Sequence, residues 1–137
     1  MDLTLSHCFM IVDDQDKALA FYRDVLGLEL RADAPFDNFR WLSVGTASQP
    51  EVEIVLLPPE MGHSADDATS LNSLLAKGAL NGVIFRTSDV DGTFERLRVA
   101  GAEIVQEPID QPYGVRDCAV RDPFGNQIRI GSEPKAS

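Results

Sequence analysis

Few side chains in this sequence are of a kind and placement to do chemistry. His7 lies in the apolar run SHCFMIV, Glu53 in VEIVLL, Arg86 in VIFRT and Arg129 in NQIRI, each a short β-like segment. A histidine and a carboxylate can ligate a metal or share a proton. Two arginines offer planar donor forks suited to carboxylate or phosphate groups. Alternation puts His7, Phe9 and Ile11 on one face of the first run, and Phe9 with the single tryptophan, Trp41, would give that face an aromatic wall. Arg86 shares parity with Gly82 and Ile84, which would set it near Arg129 as a cationic floor. Each has a plainer reading beside it: a hydrogen-bonded core histidine, a packed tryptophan, a strand-end arginine reaching water. Tyr113, in QPYGV, is a candidate for the rim of such a site. His63, in a Gly-Ser stretch, reads as a surface histidine, and neither Glu51 nor Glu60 has a motif around it. The sequence has no GxSxG elbow, no glycine-rich phosphate loop, no CxxC pair and no HExxH. Cys8 and Cys118 sit in apolar segments with no base positioned beside them in sequence, and read as buried free thiols of a reducing cytoplasm.

The elements that must position these residues come in two copies. In the first, a strand over Ser6–Val12 leads to Asp13 and Asp14 as N-cap candidates, then to Ala18, Phe21, Tyr22 and Val25 at helical spacing. Gly27 closes that helix, and strands are predicted at Leu28–Arg31, Phe39–Val44 and Val52–Leu57. The second copy restarts at Val83–Thr87. A capping box of Ser88 with Asp91 opens a helix striped by Phe94, Leu97 and Ala100, and Gly101 ends it. Strands follow at Ala102–Gln106, Val115–Val120 and Gln127–Ile130, the last two joined by the turn signature DPFGN. VDDQDKALAFYRDVLGLEL thus pairs with TSDVDGTFERLRVAGAEIV, with one residue fewer in the second helix. The same repeat pairs Val52-Glu53-Ile54 with Ile128-Arg129-Ile130. Between the copies, Pro58 to Lys77 reads as a crossover carrying a short helix on Ala68, Leu71, Leu74 and Leu75. The chain is therefore expected to be one domain over 1–137, with modules at about 4–58 and 80–132 and a connector at 59–79.

Bulk properties narrow the partners. A chain of 137 residues is long enough to bury an ordinary core. Its net charge of −10 argues against nucleic acid, whose phosphates this surface would repel. No apolar run approaches the roughly 20 residues of a membrane helix. The N-terminus lacks the features of a signal peptide. The expected setting is the cytoplasm, with neither nucleic acid nor membrane as partner.

Paired strand-helix-strand-strand-strand modules, with FYRDVLGLEL in the first and DPFGNQIRI near the end, resemble the vicinal oxygen chelate superfamily. That group comprises glyoxalase I, bleomycin-resistance proteins, fosfomycin-resistance enzymes and extradiol dioxygenases. The resemblance covers about Leu5 to Ile130 and implies an α+β fold in which two βαβββ modules curl mixed sheets around a cup. It also implies, for the metalloenzymes, one divalent cation held by two His and two carboxylates from the first and last strands of both modules. Carried across, the four positions fall on His7, Glu53, Gly82 and Arg129. Two match and two do not, and one has become a permanent cation. About 4 kcal/mol separates unit charges a few ångströms apart at an effective dielectric near 20. Arg129 would thus oppose a dication and favour Glu53 or a bound anion.

The expected function is therefore a metal-free small-molecule binder without cofactor, its ligand anionic or aromatic and held by His7, Phe9, Trp41, Glu53, Arg86 and Arg129. The alternative is a lyase, isomerase or dioxygenase with a rearranged divalent transition metal site. Members with two modules per chain often form two-fold dimers, so a homodimer is expected.

Overall fold

The computed structural model describes residues 1–134 and divides the chain into two compact units between Leu75 and Ala76. The boundary falls inside the predicted connector. The first unit runs β1 (His7–Ile11), helix α1 (Gln15–Leu19) continued by a wider π-helical segment (Ala20–Val25), β2 (Glu29–Phe36), β3 (Phe39–Gly45), β4 (Glu53–Leu57) and α2 (Ala65–Ala76), which ends at the boundary. The second runs β5 (Val83–Arg86), α3 (Val90–Val99), β6 (Glu103–Asp110), β7 (Arg116–Arg121) and β8 (Gln127–Gly131). Each unit holds one open four-stranded mixed sheet, in the orders β1-β4-β3-β2 and β5-β8-β7-β6. The outer pairs β1–β4 and β5–β8 are parallel, and the other neighbours are antiparallel. The fold is α+β, and the βαβββ repeat read from the sequence is present in both halves.

The alternation that pointed to a site also builds the core. In the first unit Met10, Val12, Leu42, Val44, Ile54 and Leu56 are buried with Ala18, Phe21 and Tyr22 of the helix. The Tyr22 hydroxyl donates to Met10 Sδ at 2.9 Å, which satisfies the one polar atom of that buried ring. In the second unit Val90, Phe94 and Leu97 are buried along with Cys118, Val120, Ile128 and Ile130. No helix among the described residues is long and apolar enough to cross a membrane.

The odd residue of the repeat has a structural home. Asp14 caps the first helix by accepting from Lys17 N, and Asp89 caps α3 by accepting from Gly92 N. The closing glycines, Gly27 and Gly101, both have positive φ, at 84° and 87°. Gly27 stands one residue further from its cap than Gly101 does, and the first helix absorbs the difference by widening over Ala20–Val25, where Leu26 N bonds Phe21 O. The capping box expected on Ser88 and Asp91 is corrected: Asp89 is the cap, and Asp91 instead pairs with Arg116 at 2.8 Å. The second and sixth strands run further than predicted, to Phe36 and Asp110. Both are edge strands containing a proline, Pro35 and Pro108, which an edge tolerates because its outward N–H groups need no partner.

Candidate functional site

In the first module, the parallel register sets His7 directly opposite Glu53 and Phe9 opposite Val55. His7 Nε2 lies 3.5 Å from Glu53 Oε2, and its Nδ1 lies 2.9 Å from Ser6 Oγ. The other carboxylate oxygen, Oε1, accepts from the Ser43 hydroxyl at 2.6 Å. Trp41 precedes Ser43 by two residues on β3 and so shares its face. Its ring centroid is 6.3 Å from those of both His7 and Phe9 in edge-on contacts, and 5.8 Å from that of Phe36. Phe9 is 62% exposed, so this cluster is an open aromatic wall and not core. At its edge sits a polar string of Ser6, His7, Glu53 and Ser43, able to donate and accept hydrogen bonds.

The second module is built on a different principle. Arg129 on β8 stands opposite Ala119 of β7 and Ile84 of β5, while Gln106 of β6 also stands opposite Ala119. Asp117, two residues along from Ala119, therefore shares their face. Its side chain is 4% exposed and accepts from Gln106 and Gln111 at 2.9 Å each, from Arg129 NH1 at 3.0 Å and from the Tyr113 hydroxyl at 3.4 Å. Burial by itself would push the Asp117 carboxyl up; the Gln111 and Gln106 amides and the Arg129 guanidinium together outweigh it and hold the group below its ordinary value. Gln106 Oε1 accepts a further bond from Arg129 NH1 at 3.2 Å. Beside Asp117, the Cys118 thiol is pushed up to about 11 by burial and, to a lesser degree, by the Asp117 charge.

The predicted residues thus fall into two groups. His7, Phe9, Trp41 and Glu53 are brought together. Glu53 is engaged by Ser43 and His7, and Arg129 by Asp117, each inside its own module. Arg86 and Arg129 do not make a cationic floor. The Arg86 side chain is 60% exposed and lies 3.4 Å from Glu133, so both guanidinium groups carry a carboxylate. In a chain with 22 acidic and 12 basic residues, arginines left unpaired at a surface are not to be expected. Tyr113 is exposed on the turn before β7, and His63 lies 2.9 Å from the Pro59 carbonyl. Cys8 is half-buried, not fully buried as expected, because the face opposite the aromatic wall closes only from Met10 onward.

Sequence reasoning missed Ser43, Phe36, Asp117, Gln106 and Gln111. Ser43 was legible from its parity with Trp41. Asp117 carried a signal too, as an acid inside the apolar strand RDCAV. Phe36 was hidden by ending the second strand at Arg31.

The residues do not fit the four-ligand cation site that the resemblance implies. His7 and Glu53 supply one nitrogen and one carboxylate. At Gly82 a Cβ would stand 1.8 Å from the Gln127 carbonyl oxygen, so no side chain fits there without moving backbone. Arg129 brings positive charge to the fourth position. Among the described residues, no group of three or more His, Cys, Asp or Glu side chains is placed to hold a metal.

Residues 4–130 match the family described as Glyoxalase/Bleomycin resistance protein/Dioxygenase superfamily. The crystal structure of UcmS2 is 38% identical, with a TM-score of 0.87 over 96% of this chain and 98% of that one. TnmS3, an antibiotic binding protein from Streptomyces sp. CB03234, is 29% identical, with a TM-score of 0.76 over 98% of each chain. A Synechocystis protein named "Probable lactoylglutathione lyase" is 30% identical over 129 residues, 92% of each chain.

Proposed function

The chain belongs to the Glyoxalase/Bleomycin resistance protein/Dioxygenase superfamily, and from that premise we propose that it is a metal-independent small-molecule-binding protein whose ligand is aromatic. One observation carries this reading: the half-buried Trp41 flanked by exposed Phe9 and Phe36, organised around the His7–Glu53–Ser43 string. An aromatic ring packed against another gains about 0.5–1.5 kcal/mol beyond the area it buries. The polar string at the edge of this cluster orients a ligand hydroxyl or amine. With the Glu53 carboxylate at its edge, the site favours a neutral or weakly cationic ligand over an anion. The similarity to an antibiotic binding protein supports the same class of function.

A second reading, a metal-dependent lyase, isomerase or dioxygenase, draws on the facing His7 and Glu53 and on the relative named as a lyase. The closed Gly82 position and the Arg129 charge weigh against it. Metal analysis of protein purified without chelator, combined with titration of an aromatic probe such as naphthalene-2-ol against Trp41 fluorescence, tests the choice. Saturable quenching unchanged by EDTA is expected. A stoichiometric transition metal, or quenching abolished by EDTA, overturns the binder reading.

The proposed assembly is a homodimer. Exposed apolar residues on the edge strands, Leu30 and Phe36 on β2 and Ile104 and Ile109 on β6, support it. Sedimentation equilibrium giving only the 15.0 kDa monomer would contradict it.

A further inference from the structure

Within the second module, residues 78–84, Gln127 and Arg129 line an open groove of about 470 Å³. Leu80 and Ile84 give it apolar surface, and Ile84, 77% exposed, stands directly opposite Arg129 in the parallel register. The Arg129 side chain is 27% exposed and is gripped at one corner only. Both hydrogens of NH1 are used, on Asp117 and Gln106. The remaining three of the five guanidinium N–H donors, on Nε and NH2, meet no protein acceptor among the described residues.

That grip is more than neutralisation requires. A buried carboxylate and guanidinium generally stabilise a fold no better than apolar groups of the same size. Here three strands and a turn contribute side chains to fix one guanidinium plane beside an open groove. What the arrangement supplies is a directed, partly desolvated donor edge. Its charge is already balanced by Asp117, and the chain around it carries a net −10. An incoming anion would meet both the Asp117 charge and the overall negative field. A neutral carbonyl oxygen takes the same donors without that penalty.

We propose that this groove recognises a neutral carbonyl oxygen borne on an apolar ring frame, with Arg129 as the donor and Asp117 as the residue that positions it. The inference rests on the small-molecule-binding reading and adds a ligand's chemical class for a site within the second module.

Three probes of one shape test it: fluorene, 9-fluorenone and fluorene-9-carboxylate. Affinities come from isothermal titration, and location from amide chemical shifts of residues 78–84 and of the Arg129 Nε–H. Fluorenone is expected to bind about 10- to 100-fold more tightly than fluorene, the worth of one hydrogen bond to a charged donor, and at least as tightly as the carboxylate. In R129K, which keeps the countercharge for Asp117 but loses the fork, the ratio of fluorenone to fluorene affinity falls to about one. The double variant R129M/D117N, which leaves no buried charge unpaired, gives the same result, and thermal melts confirm that both variants are folded. A wild-type ratio near one with shifts at 78–84 absent, a ratio surviving in both variants, or a carboxylate that binds tightest overturns the Arg129 assignment. If both probes quench Trp41 but neither shifts residues 78–84, that assignment fails alone; if neither binds anywhere, the binder reading fails with it.

Discussion

Replacing Asp117 with alanine is the sharpest test of how the second module holds its charge. The carboxylate is the shared acceptor of Gln106, Gln111 and Arg129 at 2.9 to 3.0 Å, and its side chain is 4% exposed. Removing it strips Gln111 and the Arg129 guanidinium of their shared acceptor, while Arg129 NH1 keeps Gln106 Oε1 and Gln106 Nε2 keeps the backbone carbonyl of residue 117. Breaking a buried ion pair costs about 3–5 kcal/mol. Arg129, still 27% exposed, regains some water, which puts the expected loss near the low end, about 3 kcal/mol. For a chain of 137 residues, with total stability of roughly 7–20 kcal/mol, that is a large fraction. With urea m-values of about 1–3 kcal/mol per molar, the midpoint should drop by roughly 1–3 M. Adding R129M to D117A should then cost less than the sum of the single changes by about 1–3 kcal/mol, since the partner is already stranded. The pH dependence follows in sign. The Asp117 carboxyl is held below its ordinary value in the fold, so its stabilisation is present above the unfolded value near 3.9 and disappears as pH falls through the lower folded value. Denaturant midpoints measured below about pH 4 should therefore fall more steeply in the wild type than in D117N. A D117A loss under about 1 kcal/mol, additive with R129M, would refute the account of a buried, coupled pair.

The other perturbations probe separate features. Gly82→Ala should destabilise by about 1–3 kcal/mol in thermal melting, because its Cβ would meet the Gln127 carbonyl at 1.8 Å; an unchanged melting temperature would reopen that position to a side chain. Asp89→Ala should cost about 1 kcal/mol through loss of the α3 cap, with Asp91→Ala costing less because its pair with Arg116 is exposed. In native protein at pH 8, a thiol reagent such as DTNB should label Cys8 readily and Cys118 only on unfolding, since burial holds the Cys118 thiol near 11. Equal labelling rates would contradict its burial. Phe9→Ala should weaken binding of an aromatic probe by about tenfold, read by titration calorimetry, if the exposed ring is a stacking surface; unchanged affinity would remove it from the site.

Much of the scaffold was legible because its signals are local. Alternating apolar residues, the Asp14 cap and the positive-φ glycines are fixed by backbone sterics and near-neighbour hydrogen bonds, so the repeat needs no long-range information beyond being read twice. The grouping of His7, Phe9 and Trp41 followed from the same parity, once strands were assigned. Strand ends were less legible. β2 and β6 run on through Pro35 and Pro108 because an edge strand needs no outward hydrogen bonds, and which strand lies at an edge is a property of the assembled sheet.

What the sequence by itself determined, then, is the architecture and the set of residues on each face: the order of polar and apolar side chains dictates which side of each strand meets water. What only the tertiary structure decided is who neutralises whom. Glu53 lies next to His7 through a parallel register across 46 residues, and Arg129 finds Asp117 because β7 sits beside β8 in the sheet. Coulomb energy and hydrogen bonding depend on distances of a few ångströms, and those are set by strand order and register, quantities that composition and periodicity leave open.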